Sequence, residues 1–236
     1  MELTEGIVLK SIPYQDHAKI VFLLTKEGKV SFILKGGTSL KSHTYIYNQE
    51  LTKISFATKK NYFIGGEVLT SYPMIKRDFN QMVSALQILE LSDVLSTHAS
   101  DQATFYTFTA SILDLLEAGR TPSLLLIIYQ LKNLYLLGVA PSFTKCVECG
   151  RSEALSFVVA AGGMKCSTCL TPTDEISSPR LVDDLRRLYV TKLADFDWDT
   201  LTLQASEASV EAVLKTFYEQ FLGFKSKVKP IMHQLH

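Results

Sequence analysis

Apolar residues recur at two different periods along the chain, and the change falls near residues 73–78. Before it the pattern alternates. Gly6–Ser11 is a short extended run, and Lys19–Thr25 (KIVFLLT) and Lys29–Lys35 (KVSFILK) flank Lys26-Glu27-Gly28, which reads as a hairpin turn. Glu50–Phe56 alternates apolar with polar, and Tyr62–Leu69 is a further strand interrupted by Gly65-Gly66, a bulge or sharp bend. Five short strands with glycine kinks in a stretch of this length predict a small closed barrel such as an OB-fold.

After Pro73 the period lengthens to that of helices. Asp78 is placed as an N-cap with Gln81 three residues on, and Met82, Leu86, Leu89 and Leu95 follow at helical spacing. A second helix is expected from near Asp101 to Gly119, with Phe105, Phe108, Ile112 and Leu115 on one face. A third is capped by Thr121 with Pro122 at its first position and stops at Gly138. Ser178-Pro179 opens a fourth through Tyr189, and Ser206 a fifth through about Phe224. The fold class is therefore α+β: a barrel over residues 1–77, then an all-helical domain over 78–236 with a cysteine module set into it at 146–169.

That module holds all four cysteines. Cys146 and Cys149 form one C-x-x-C pair, Cys166 and Cys169 a second, with sixteen residues between. Two residues between thiolates let both reach one ion from a tight turn, and two such pairs supply the tetrahedral S4 set of structural Zn2+. Ser156–Ala161 reads as a strand and Gly162-Gly163 as a turn, so a hairpin carries the second pair back to the first; Gly150 suits a knuckle that needs positive φ. Two disulfides would need an oxidising compartment, which nothing in the sequence indicates. A redox C-x-x-C would open a helix in a βαβ unit, which is missing, and four thiolates leave no open position for catalysis.

Charge changes the picture further. Lys and Arg balance Asp and Glu at 24 each, but residues 1–77 carry eleven basic against six acidic side chains, and after Glu219 the only charges are Lys225, Lys227 and Lys229. A basic barrel and a basic tail flank a mildly acidic body, an arrangement that either permits nucleic-acid contact or only keeps the surface solvated. Lys35 and Lys41 are the first candidates for phosphate contact, with Lys10 and Lys29 behind them; Tyr45, Tyr47 and Tyr62 are placed either to stack on bases or to cap the barrel core. Lys225 and Lys227 follow a helix carrying Val210, Val213, Leu214, Phe217 and Phe221, so they either complement the helix C-terminus or form the basic edge of a groove for an acidic, apolar peptide.

The opening MELTEGIVLK has acids where a secretory signal needs bases, and the apolar run Leu124–Val139 is broken by Gln130, Lys132 and Asn133, so a cytoplasmic protein outside the membrane is expected. There is no GxxxxGK[ST] or GxGxxG fingerprint and no nucleophile elbow, and the five histidines pair with no nucleophile or second ligand at useful spacing. No enzymatic activity is expected.

Three stretches in order carry a resemblance: GIVLKSIPYQDHAKIVFLLTKEGKVSFILKGG at the start, LGVAPSFTKCVECG at 137–150 and FLGFKSKVKPI at 221–231. Together they resemble the bacterial recombination and repair mediator family RecO over the whole chain. The resemblance implies an OB-fold, a helical domain with a zinc module, binding of single- and double-stranded DNA, and annealing of complementary strands. It also implies a nucleoid-associated role beside RecR and the single-stranded-DNA-binding protein, so that RecA can load. Two features depart from the family pattern. The loop after the third strand reads KGGTSLKSHT, with only Lys35 and Lys41, and Lys227 stands where Arg is usual. Lysine lacks the bidentate fork of arginine. The alternative from a different class is a zinc-containing interaction scaffold that binds only proteins.

Overall fold

Strand β1 (Thr4–Tyr14) pairs antiparallel with β2 (Ala18–Thr25), which pairs antiparallel with β3 (Gly28–Lys35). The computed structural model describes residues 3–225. The expected turn closes between β2 and β3: the Thr25 hydroxyl donates to the Gly28 carbonyl at 2.8 Å and accepts from the Glu27 N–H, and Gly28 takes a φ of 107° that a side chain would resist. Strand β4 (Lys53–Lys59) returns to pair with β1, and β5 (Tyr62–Thr70) lies between β4 and β3, giving a closed barrel of order β1-β2-β3-β5-β4. The last seam, between β3 and β5, is parallel and rests on the single pair Ile33 and Tyr62, with Ile33 N–H donating to the Asn61 carbonyl at 2.7 Å.

Inward-facing Val8, Val21, Leu23, Phe32, Leu34, Ile54 and Phe56 fill the barrel. Burying such a side chain is worth roughly 1.5–3 kcal/mol, so this cluster is what the alternating pattern encodes. The bend expected at Gly65-Gly66 is present, and its cause is steric: a Cβ on Gly66 would stand 2.2 Å from the Ser55 carbonyl oxygen. The register also slips opposite Ala57 and Thr58, so Ile64 is an extra residue beside the glycines.

Helices α1 (Phe79–Leu95) and α2 (Gln102–Glu117) start where the caps predict. Asp78 accepts from the Gln81 N–H and Asp101 from the Thr104 N–H, each at 2.9 Å. Leu89 and Leu95 of α1 and Phe105 and Ile112 of α2 are buried as expected, but the rest of each stripe differs. Met82 and Leu86 of α1, and Phe108 and Leu115 of α2, are only half-buried, while Ala85, Ile88, Leu91, Tyr106 and Leu113 are buried. Helix α1 packs against both β1 and α2, and a helix with two neighbours buries more than one stripe. The C-terminal end of α2 also pins the segment that leaves the barrel: the Tyr72 hydroxyl donates to Asp114, and the Glu117 carboxylate accepts from the Met74 and Ile75 N–H groups at 3.0 Å. The chain accordingly divides into compact units after Pro122, with a second unit from Ser123 to Lys225, whereas the change from strands to helices comes near residue 77.

In the second unit, helix α3 (Pro122–Leu136) precedes the hairpin β6 (Leu155–Val158) and β7 (Gly163–Cys166), followed by α4 (Pro179–Val190) and α5 (Glu207–Phe221). Strand β6 is shorter than expected, since Val159–Ala161 forms a 3-10 turn, and α5 stops three residues before Phe224. Buried polar groups organise this unit. Asp184, fully buried, accepts from the Gln204 and Ala205 N–H groups and from Arg187; Lys132 donates to the Tyr189 and Thr191 carbonyls at the end of α4.

Candidate metal centre and nucleic-acid interface

The four cysteines converge. The hairpin β6–β7 sets Cys166 at the end of β7, and the first knuckle docks on the same strand through a hydrogen bond from the Val147 N–H to the Met164 carbonyl at 2.8 Å. Gly163 allows that docking by its lack of a side chain: a Cβ there would lie 2.7 Å from the Ser142 carbonyl oxygen. Within the first knuckle the Gly150 N–H donates back to the Cys146 carbonyl at 2.9 Å, and Gly150 has the expected positive φ, 76°. Within the second, the Cys169 and Leu170 N–H groups both donate to the Cys166 carbonyl at 3.0 Å.

The four sulfur atoms lie within 4.8 Å of one another, and Cys149 Sγ and Cys166 Sγ, from different pairs, are 3.6 Å apart. A Zn–S bond of about 2.3 Å puts the corners of a tetrahedron about 3.8 Å apart, so the donor set fits one such ion in size and in softness. No two cysteines are joined as a disulfide. Backbone N–H groups, led by that of Cys166, hold the Cys146 thiol down at about 6, while the neighbouring Cys149 and Cys166 sulfurs push the Cys169 thiol well up. That is the behaviour of crowded thiols sharing protons, which a cation resolves by binding all four as thiolates.

On the barrel, register separates the candidate lysines into two groups. Lys10 stands opposite Phe22, and Lys29 opposite Leu24, two residues further along β2 on the same face. Their ammonium groups flank the Phe22 ring at 5.3 and 5.6 Å, and both are ion-paired with Asp93 of α1. Burial opposes ionisation of Asp93, yet the two lysines outweigh it and hold its carboxyl below the ordinary carboxylate value. The Lys10 side chain stays 42% exposed and that of Lys29 24%, so both ammonium groups face solvent beside the carboxylate they share.

Lys35 and Lys41 are exposed, and no carboxylate among the described residues pairs with either. Lys35 Nζ sits 4.9 Å from the centre of the exposed Tyr62 ring. Lys19, which the sequence pattern did not single out, repeats the arrangement 5.9 Å from the Tyr45 ring and donates to Asn48. Alternation alone hides it, since Lys19 shares its face of β2 with the inward Val21 and Leu23 and stands opposite Leu34. Tyr47 belongs to the core: its hydroxyl donates to the Gly66 carbonyl at 2.7 Å and its ring lies 4.7 Å from Phe63.

At the far end, Lys225 is exposed and lies beyond the last turn of α5, which contains no basic residue, so the helix-end role does not fall to it. Lys227 lies outside the described residues. Among the described residues no helix is long and apolar enough to cross a membrane.

The family described as Recombination protein O N terminal matches residues 1–62, and that described as Recombination protein O C terminal matches residues 76–230. The chain belongs to the RecO family. Named relatives align along its whole length. The DNA repair protein RecO of Listeria monocytogenes serotype 4a is 26% identical over 242 residues, covering 100% of this chain and 95% of the relative. That of an Exiguobacterium species is 27% identical over 241 residues, covering 100% and 96%. The Exiguobacterium sibiricum protein is 26% identical over 243 residues, covering 100% and 97%. The two RecO family regions meet between residues 62 and 76, close to the change from strands to helices at residue 77 and well before the packing boundary after Pro122.

Proposed function

We propose that this protein acts in DNA repair and recombination by binding single- and double-stranded DNA and annealing complementary strands. In this reading it works with a RecR-like partner and the single-stranded-DNA-binding protein so that RecA loads, at the nucleoid and without breaking a covalent bond. The observation that carries the reading is the barrel surface on which Lys35 lies over exposed Tyr62 and Lys19 over Tyr45. Each pair offers a cation for a phosphate and a ring for a base, the combination that single-strand binders use. Lys41 extends the charge along the adjoining loop. Membership of the RecO family supplies the context of repair.

Residues 1–77 are the DNA-binding barrel and 78–236 the helical domain in this scheme. Cys146, Cys149, Cys166 and Cys169 hold one Zn2+ that ties the two knuckles and does no chemistry. Lys225, with Lys227 after it, is the basic edge that receives the acidic, apolar C-terminal tail of the single-stranded-DNA-binding protein. A labelled peptide of that composition should bind the wild type and lose affinity for K225A; equal binding removes Lys225 from the role.

Annealing needs only that two backbones be neutralised and held together, so it should proceed without ATP and slow as salt rises. Complementary oligonucleotides coated with their binding protein, mixed with and without this protein and a RecR-like partner, test the reading directly. Faster pairing that a K35E/K41E variant fails to produce supports it. Pairing no faster at any salt concentration favours a scaffold that binds only proteins.

A further inference from the structure

Lys165 is the one lysine among the described residues that is almost wholly buried, 4% exposed, and it immediately precedes Cys166. Its ammonium donates to Asp174 at 2.7 Å and pairs with Glu148 at 2.8 Å. Those partners come from opposite sides of the cysteine module. Glu148 is inside the first knuckle, between Cys146 and Cys149. Asp174 lies past the second, and the same oxygen that takes the Lys165 ammonium also accepts the Thr171 N–H at 2.7 Å, which fixes the turn leaving Cys169. Strand β7 holds the lysine stem in place, with Lys165 opposite Ser156 on β6. One ammonium thus joins three chain segments, each within five residues of a cysteine.

Charge accounting shows what this contact does. One ammonium and two carboxylates leave a net negative charge, so Lys165 does not neutralise the thiolates. A divalent ion held by four thiolates is itself doubly negative, and two unpaired carboxylates beside it would oppose its formation. Lys165 engages both, and it fixes the spacing of the knuckles by bonds that need no metal. A buried ammonium without partners is costly, so the lysine in turn requires both acids.

We propose that Lys165, with Glu148 and Asp174, is a latch that holds the two knuckles in register before an ion enters and so sets the affinity of the cysteine site for its metal. This rests on the metal reading above. It concerns outer residues that orient ligands, whose removal in metalloproteins typically costs about 10–100-fold in metal affinity.

The test uses the full chain, reduced and stripped with a chelator, and the variants K165M, which keeps the apolar stem, K165R, which keeps the charge, and D174N. Cobalt(II) titration reads the thiolate-to-metal absorption, zinc competition gives relative affinity, and hydrogen exchange of residues 155–177 in metal-free protein reads the register. The expected result is that wild type takes up one cobalt, K165M binds about 10–100-fold more weakly, K165R lies between them, and K165M exchanges faster in residues 155–177 without metal. D174N should follow K165M in both readouts. Equal affinity and equal exchange for wild type and K165M would overturn the latch. If wild type binds no cobalt, the metal reading fails by itself, and the metal-free exchange then decides the latch: faster exchange in K165M sustains it as a register device, and unchanged exchange removes it.

Discussion

Asp93, near the end of α1, ion-pairs with Lys10 on β1 across 83 residues of sequence, and the same carboxylate takes Lys29 of β3. With Phe22 between the two ammonium groups, this contact fastens α1 to the outside of the barrel.

Replacing Asp93 with Asn should therefore destabilise the fold by about 1.5–3 kcal/mol, the range for hydrogen bonds to charged groups. The pH dependence has a definite sign. The Asp93 carboxyl is held below its ordinary value, so its contribution is present above the unfolded value of about 4 and is lost as pH falls through the folded value. Urea unfolding of wild type and D93N should differ at pH 7 and converge in acid; a constant difference across that range would mean that Asp93 acts through packing alone. K10E and K29E should likewise lower stability more than they change the salt slope of DNA binding.

Tyr62 and Tyr45 should matter for single strands and little for duplex. Base stacking on an aromatic ring is worth about 1–3 kcal/mol by alanine replacement, so Y62A should weaken binding of an oligonucleotide by roughly 5- to 150-fold. Anisotropy titrations with single- and double-stranded probes check this, and parallel losses on both would point to phosphate contact by Lys35 rather than to stacking. Y47F serves as the internal contrast: it loses the bond to the Gly66 carbonyl and should cost stability of about 1 kcal/mol with DNA affinity retained.

Metal removal should act on the second unit. Protein purified under reducing conditions should contain one zinc per chain by elemental analysis, and a value well below that counts against the site. Chelation, or C166S, should raise hydrogen exchange and protease cleavage around residues 146–169 while the barrel amides stay protected. Because protons compete for the thiolates, zinc should be released as pH falls, and the affinity should rise with pH until the thiols are ionised.

Gly66 is predicted to be irreplaceable for steric reasons. G66A would place a methyl group against the Ser55 carbonyl, and forced overpacking of this kind costs typically about 1–3 kcal/mol and occasionally more. G65A, where a Cβ meets nothing within 4 Å, is the matched control. Thermal unfolding of the two variants should differ in that order, and equal midpoints would mean that β4 and β5 separate freely.

Sequence by itself determined the features whose signals are local. The change of period, the caps at Asp78, Asp101, Ser178 and Ser206, the hairpin closing at Gly28 and the paired C-x-x-C spacing all depend on residues a few positions apart, where backbone geometry leaves few alternatives. Tertiary structure alone decided which side chains remain free. Lys10 and Lys35 are alike in sequence, lysines on alternating strands; strand register and the arrival of α1 put one against Asp93 and left the other over Tyr62. Tyr47 and Tyr62 differ in the same way, one bonded into the core and one exposed. Lys165 is a strand residue after the Gly162-Gly163 turn, and only the folding together of the two knuckles brings Glu148 and Asp174 to it. The physical reason is that a charge or a ring becomes structural or functional through its partners, and those partners are set by long-range packing that no local pattern encodes.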